Sequence, residues 1–534
     1  MNGRMTMGRL LHELVLDSAQ RSPDAEALKY RQESLTYADL SREVRRTASA
    51  FRHMGVARGE RIAVWMEKRV ETVVALFAAS AADAVFVPVN PLLKPEQVLH
   101  ILRDCDVRVL VTTIERVGLL ASVIAQCPAL KDVMIVGDAD VTLDDVAVAR
   151  WSARPDGVLR DSQVIDADMA AILYTSGSTG KPKGVVLSHR NIVEGARSVA
   201  EYLENTSEDR ILSVLPLSFD YGLNQITTSF LVGACAVLIN YLMPRDVVNA
   251  VRKERITGLA AVPPLWIQLS QLEWPEGLDE HLRYFTNSGG HMPRTTLDAL
   301  RLRMPRARPY LMYGLTEAFR STYLPPSEVD RRPDSMGKAI PNAEILVVRA
   351  DGTLCEPDEP GELVHRGVHV SMGYWNDPAR TAERFKPAPG RPQGIPTPEL
   401  AVFSGDTVRR DADGFLYFIG RHDEMIKTSG YRVSPTEVEE VLYGFDGIQE
   451  VAAVGAPHPA LGQAVVLVVM AACVDDALEA RLLQACRQHL PVFMVPAKVI
   501  CSESPLPRNP NGKVDRKRLA DSVVDLFADV SQLK

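Results

Sequence analysis

Residues 172–187, Ile172-Leu-Tyr-Thr-Ser-Gly-Ser-Thr-Gly-Lys-Pro-Lys-Gly-Val-Val-Leu187, decide the reading of this chain. The apolar run Met169-Ala-Ala-Ile-Leu173 predicts a short buried strand, and it empties into glycines, hydroxyls and lysines. A loop of that kind at a strand end can wrap an anionic group with backbone N–H donors. Gly177, Gly180 and Gly184 let the backbone approach closely, Thr175, Ser176, Ser178 and Thr179 add donors, and Lys181 and Lys183 add charge. Three glycines alone would suit a plain surface loop, but the order of these residues suits a nucleotide triphosphate cradle. A Walker-type loop is a poor fit, because Pro182 follows Lys181 where that motif needs Ser or Thr.

Outward from the cradle, helical and strand-like spacings alternate. Upstream, the pattern predicts a helix over 37–51, a strand over 61–65, a helix over 70–79 and a strand over 84–89. Downstream, it predicts strands over 211–215, 236–239 and 258–262, with a helical stretch near 225–231. That rhythm means α/β layers with parallel strands. From about 343 to 370 short alternating strands with Gly punctuation predict a small β-rich unit. Residues 386–398, rich in Pro and Gly, read as a surface excursion, and a compact α+β pattern begins after Gly420-Arg-His-Asp423. The major boundary belongs there, and no internal repeat is detectable.

The chain has 534 residues, which the domain-size prior divides loosely into roughly three to four units. With 46% hydrophobic and 24% charged residues it reads as ordinary globular protein. Net charge is −8, with 60 basic and 68 acidic residues interspersed, so no nucleic-acid partner is expected. Seven scattered cysteines without Cys-x-x-Cys spacing argue against a disulfide framework and a zinc site. The run Ala464-Val-Val-Leu-Val-Val-Met-Ala-Ala-Cys473 is too short to span a bilayer and predicts a buried strand. Met1 to Arg9 lack the long apolar segment of a signal peptide, so the expected localisation is cytoplasmic, with no membrane span.

The cradle resembles the signature loop of the adenylate-forming superfamily, which comprises AMP-forming acyl-CoA synthetases, amino-acid adenylation domains and luciferases. Four further segments fall in that superfamily's order. Tyr310-Leu-Met-Tyr-Gly-Leu-Thr-Glu317 resembles its Tyr-Gly-x-Thr-Glu motif. By that resemblance Tyr313, beside Gly314, would stack on adenine, Thr316 would contact the α-phosphate, and Glu317 would hold Mg²⁺. One carboxylate plus phosphate oxygens suffices for so hard a cation. Ser404-Gly-Asp406 resembles the superfamily's Thr-Gly-Asp, implying that Asp406 accepts both ribose hydroxyls, a task for an acceptor-only side chain. In the long match of 420–439, Arg421 would contact ribose or phosphates, Asp423 would be the hinge, and the loop around Gly430 would line the thiol's approach. Asn509-Pro-Asn-Gly-Lys513 resembles the catalytic-lysine motif, making Lys513 the group that neutralises charge between the α- and β-phosphates.

The implied fold is α/β. A large N-terminal domain, residues 1–420, would hold two doubly wound α/β subdomains plus a small β-barrel-like subdomain. Residues 421–534 would form a small, mobile α+β C-terminal domain. The implied reaction joins a carboxylic acid to ATP, releasing pyrophosphate, and then transfers the acyl group to the thiol of coenzyme A or of an acyl carrier protein. Taken whole, the chain resembles the acyl-CoA ligases associated with exosortase export systems.

Substrate identity is less legible. Leu215-Pro-Leu-Ser-Phe-Asp-Tyr-Gly222 carries Phe219 where acyl-CoA synthetases commonly have His, and Asp220 where amino-acid adenylation domains pair a substrate α-ammonium. An equally open reading is that Asp220 caps a helix. Asn287-Ser-Gly-Gly-His291 resembles the glycine segment between nucleotide and acyl sites, with Gly289 and Gly290 beside the nucleotide and His291 near either site. Three other classes stay open: an amino-acid or fatty-acid adenylating enzyme that loads a carrier protein, an oxygen-using luciferase relative, and a non-catalytic nucleotide-binding module.

Overall fold

A computed structural model describes residues 8–528, apart from 121–123, 138–140, 144, 156, 158–161, 176–181, 276, 291, 293, 393, 422–424, 434, 443–444, 476 and 508–513. One sheet has seven strands, in the order Ala147–Arg150, Asp132–Val136, Val107–Thr113, Arg61–Trp65, Val85–Pro88, Met169–Thr175, Lys183–Ser188. Every neighbouring pair is parallel except the last. The strand expected at 169–173 therefore extends to Thr175 and folds back as a hairpin, so that the cradle loop joins the two strands at one edge of this sheet. Ser188 then starts the helix His189–Tyr202 through a reciprocal cap, its hydroxyl accepting from the Asn191 N–H at 3.1 Å and its own N–H donating to Asn191 Oδ1 at 2.9 Å.

The second sheet has fourteen strands. Its parallel portion runs Glu26–Tyr30, Cys235–Leu238, Arg210–Ser213, Gly258–Ala261, Tyr284–Asn287 and Arg308–Tyr313. An antiparallel wing continues it through Thr322–Leu324, Ser335–Ala339, Leu416–Arg421, Leu400–Arg410, Gly361–Gly367 and Ala343–Val348. The β-rich unit read from 343–370 is part of this wing, which reaches further along the chain in both directions.

The two sheets share a core. Phe86, Leu173 and Leu187 of the first and Leu28, Ala236 and Leu238 of the second belong to one buried cluster with helices Val70–Ala81, His189–Tyr202 and Asp220–Val232. Helix Val70–Ala81 is buried at every position except Glu71, as its nearly unbroken apolar sequence requires. The helix expected over 37–51 spans Tyr37–His53, and Thr36 and Asp39 form its capping box.

After Arg421 the chain leaves the large sheet and enters a five-stranded one at Ile426. Its central pair, Ile448–His458 and Gly462–Ala471, includes the apolar run whose composition predicts a buried strand. Apolar residues cover both faces: Leu467, Leu482 and Val499 lie in one cluster, and Val466, Leu506 and Leu519 in another. Among the described residues no helix is long and apolar enough to cross a membrane.

Candidate active site

Parallel strands deliver several chain segments to one place. Thr175 ends its strand, Ser288 to Gly290 follow the strand Tyr284–Asn287, Gly314 to Glu317 follow Arg308–Tyr313, and Phe219 and Asp220 open the helix after Arg210–Ser213. All of them line a cavity of about 670 Å³. This is where open α/β sheets hold ligands, at the carboxyl ends of their strands. The small sheet adds a wall, with Lys427, Gly430 and Tyr431 on the same cavity.

Glu317 lies in a short 3-10 turn, Thr316–Ala318, and is 7% exposed. Lys183 Nζ donates to Glu317 Oε1 at 3.0 Å and to the Tyr374 hydroxyl at 2.9 Å, and that hydroxyl donates to Oε1 at 2.7 Å. Burial, reinforced by the Glu317 carboxylate, pushes the Tyr374 phenol well above its ordinary range, which keeps it a donor. The Ser371 N–H fixes the turn by donating to the Glu317 carbonyl at 2.8 Å. The Thr175 hydroxyl, buried, finds no partner among the described residues. An unmet hydroxyl beside a lysine at the mouth of a glycine-rich loop is a feature expected of an anion site.

Asp406, 1% exposed, accepts from the Tyr313 hydroxyl at 2.5 Å, which joins the Tyr-Gly-x-Thr-Glu and Gly-Asp segments across 93 positions. Its N–H donates to Ser404 Oγ at 3.1 Å, and that hydroxyl donates to the Leu363 carbonyl at 2.7 Å, so the wing holds the carboxylate in place. Arg421 stands opposite Asp406 in the antiparallel register. The side chain of Arg421 lies outside the described residues, as do Ser176, Gly177, Ser178, Thr179, Gly180, His291, Asp423 and Lys513.

Asp220 corrects the capping reading given to it. It is the first residue of its helix, Phe219 is the cap, and no side chain caps that end. Its carboxylate instead accepts from Arg320 Nη1 at 3.1 Å, with the two side chains 5% and 2% exposed. Arg320 also lies 4.5 Å from the Tyr221 ring centre. Phe319, just before it, has φ 56° and ψ −50° and closes a three-residue γ-turn in which the Arg320 N–H donates to the Ala318 carbonyl at 2.5 Å. A bulky residue in that conformation costs about 1–3 kcal/mol, held here by packing.

Two glycine backbones meet between the sheets. A Cβ on Gly430, whose φ is +82°, would stand 2.9 Å from Val262 Cγ1, and one on Gly289 would stand 3.7 Å from the Gly430 carbonyl oxygen. The same junction carries Tyr431, stacked on Phe493 at 3.9 Å, and a Gln97 Nε2 donation to Glu437 Oε1 at 3.2 Å.

Three residues of this region carry no sequence signal. Tyr374 lies 57 positions from Glu317, Arg320 lies 100 from Asp220, and Lys68 lies 145 from Ser213. Lys68, buried, donates to the carbonyls of Ser213, Val214 and Leu215 at 2.8, 2.5 and 3.1 Å, pinning the backbone that leads to Phe219. Only spatial neighbours reveal them.

Comparison with known proteins identifies the family. Residues 15–375 match the model of the AMP-binding enzyme family and residues 437–513 that of the AMP-binding enzyme C-terminal domain. The chain is 30% identical to a linear gramicidin synthase from Brevibacillus parabrevis, over 95% of its own length but only 6% of that much longer protein. It is 31% identical to an L-proline--[L-prolyl-carrier protein] ligase of Pseudomonas fluorescens, covering 96% of this chain and 99% of that one. Its structure superposes on a double mutant of o-succinylbenzoate CoA synthetase from Bacillus subtilis with a TM-score of 0.80 and 26% identity, covering 95% and 98% of the two chains. The chain belongs to the AMP-binding enzyme family, whose model spans more than half its length.

Proposed function

We propose that the chain activates a carboxylic acid with ATP to an acyl-adenylate and transfers the acyl group to the thiol of coenzyme A. The observation that carries this reading is the convergence on one cavity of Thr175, Lys183, Tyr313 and Glu317 with the Gly430 segment of the small sheet. In the first step a carboxylate oxygen attacks the α-phosphorus. A new O–P bond forms as the bond to the β-phosphate oxygen breaks, and pyrophosphate leaves. In the second, the thiol sulfur attacks the acyl carbon, the C–O bond to AMP breaks, and the thiol proton is lost.

The chain's contribution to these steps is positioning and charge. Lys183, Thr175 and Thr316 supply donors to the phosphates, Asp406 and Tyr313 address the nucleoside, and Lys513 neutralises charge between the α- and β-phosphates. Glu317 fits an ATP-borne Mg²⁺, since a buried carboxylate beside a hydroxyl is a hard oxygen donor set, and the ion would offset phosphate charge when bound. Gly289 and Gly430, close to each other and to the Val262 side chain, would flank the thiol's arm without side chains of their own.

In this proposal residues 1–420 hold the nucleotide, residues 421–534 turn about a hinge near Asp423, and the chain is akin to the exosortase-system ligases. Loading of a carrier-protein phosphopantetheine is the second reading, supported by the likeness to the L-proline carrier ligase. Exchange of labelled pyrophosphate into ATP, over fatty, aryl and amino acids with and without CoA, tests both. Acid-dependent exchange with AMP and a CoA thioester as products supports the first reading. Exchange without any CoA thioester supports the second, and release of ADP overturns both.

A further inference from the structure

Arg320 carries more hydrogen-bonding capacity than its surroundings use. Nη1 is engaged by Asp220 and by the Phe319 carbonyl at 3.2 Å, while Nε and Nη2, both buried, have no acceptor among the described residues. Those two N–H groups form the side-on fork of the guanidinium, and a buried charged donor left unmet is costly. Asn287 shows the complementary shortage. Its Nδ2 donates to the Gly290 carbonyl at 3.0 Å, which leaves Oδ1 buried with no donor among the described residues. Both residues line the cavity, as does Asp220, and Phe219, Met292 and Leu311 give the same cavity apolar surface.

We infer that Arg320 is a specificity-determining residue and that the acid activated here carries a neutral oxygen group, a hydroxyl or carbonyl, on an otherwise apolar body. This rests on the adenylation reading above and names its substrate class. A hydroxyl accepts from the fork of Arg320 and can donate in turn, as an amide oxygen such as Asn287 Oδ1 requires, whereas a carbonyl answers the fork alone. A second carboxylate fits less well, because Asp220 already balances the guanidinium and a further buried anion has no cation of its own. A free α-ammonium fits worse, since Arg320 already occupies Asp220 with a positive charge. A plain alkyl chain leaves both shortages standing.

Initial rates of pyrophosphate exchange test this on acids of matched carbon skeleton: unsubstituted, hydroxylated or oxo-substituted at successive positions, dicarboxylic, and α-amino. The wild-type chain is compared with Arg320→Met and with Asp220→Asn/Arg320→Gln, which removes both charges and leaves no lone buried ion. We expect wild-type kcat/KM for the best hydroxy or oxo acid to exceed that for its unsubstituted partner by more than about tenfold. In both variants that ratio falls to within about threefold, with KM carrying more of the loss than kcat. Equal or better use of unsubstituted, dicarboxylic or α-amino acids by the wild type overturns the inference and leaves adenylation standing. So does a preference that survives in the double variant. Absence of exchange with every acid overturns the adenylation reading, and this inference falls with it.

Discussion

At the end of the cavity proposed for the nucleotide, Glu317 is met by Lys183 and Tyr374, and Asp406 by the Tyr313 hydroxyl. At the end proposed for the acid, Asp220 is met by Arg320, which keeps two donors without acceptors among the described residues. The first group consists mostly of residues within recognisable motifs, and its two carboxylates are met within the protein while the Thr175 hydroxyl has no partner among the described residues. In the second, Arg320 belongs to none of the motifs, and the group leaves part of its demand to whatever enters. In this proposal the site for the shared reactant settles its carboxylates within the protein, whereas the site for a particular acid leaves a guanidinium for that acid to meet.

The largest expected effect lies at the nucleotide end. Lys513→Ala lowers adenylation by about a thousandfold while sparing thioester formation from preformed acyl-adenylate, as charge stabilisation confined to one step requires. Separate assays of the half-reactions check this, and equal loss in both would remove the distinction between the two steps. Next comes Arg320→Met, which leaves the Asp220 carboxylate buried and uncompensated and destabilises the fold by about 3–5 kcal/mol in urea unfolding, most of it recovered in Asp220→Asn/Arg320→Gln.

Glu317→Gln lowers exchange by about a hundredfold, and by the same factor for every acid, because it acts on ATP. A loss that varied from acid to acid would break the division between the two ends. The smallest effect is that of Tyr374→Phe, which removes one hydroxyl shared by Lys183 and Glu317. It weakens ATP use by about 1 kcal/mol, roughly fivefold, read as a rise in the KM for ATP with little change among acids.

Much of the fold was legible because it is local. The period-two and helical spacings of 37–51, 61–65 and 70–79 fall on elements the structure contains, and the strand before the cradle is where its apolar run places it. The antiparallel wing was only partly legible, since Leu400–Arg410 pairs with Gly361–Gly367 and no short-range pattern encodes that partner. The residues proposed to hold the nucleotide stood out through motif spacing. Arg320 did not, since a lone arginine after Ala318-Phe319 gives no hint that it folds back onto Asp220. Tyr374 was hidden likewise, being one aromatic among several until the strand Lys183–Ser188 is seen to bridge to it through Val185.

The γ-turn at Phe319 depends on a distant absence. Its ring rests against Gly195 in the helix His189–Tyr202, where even a methyl group would collide with the Phe319 Cδ1 and Cε1 atoms. Glu317 precedes that ring by two residues and Arg320 follows it by one. A single hydrogen atom on a helix thus keeps both halves of the pocket in mutual alignment, and Gly195→Ala, the mildest of replacements, would disturb ATP handling and acid selection together.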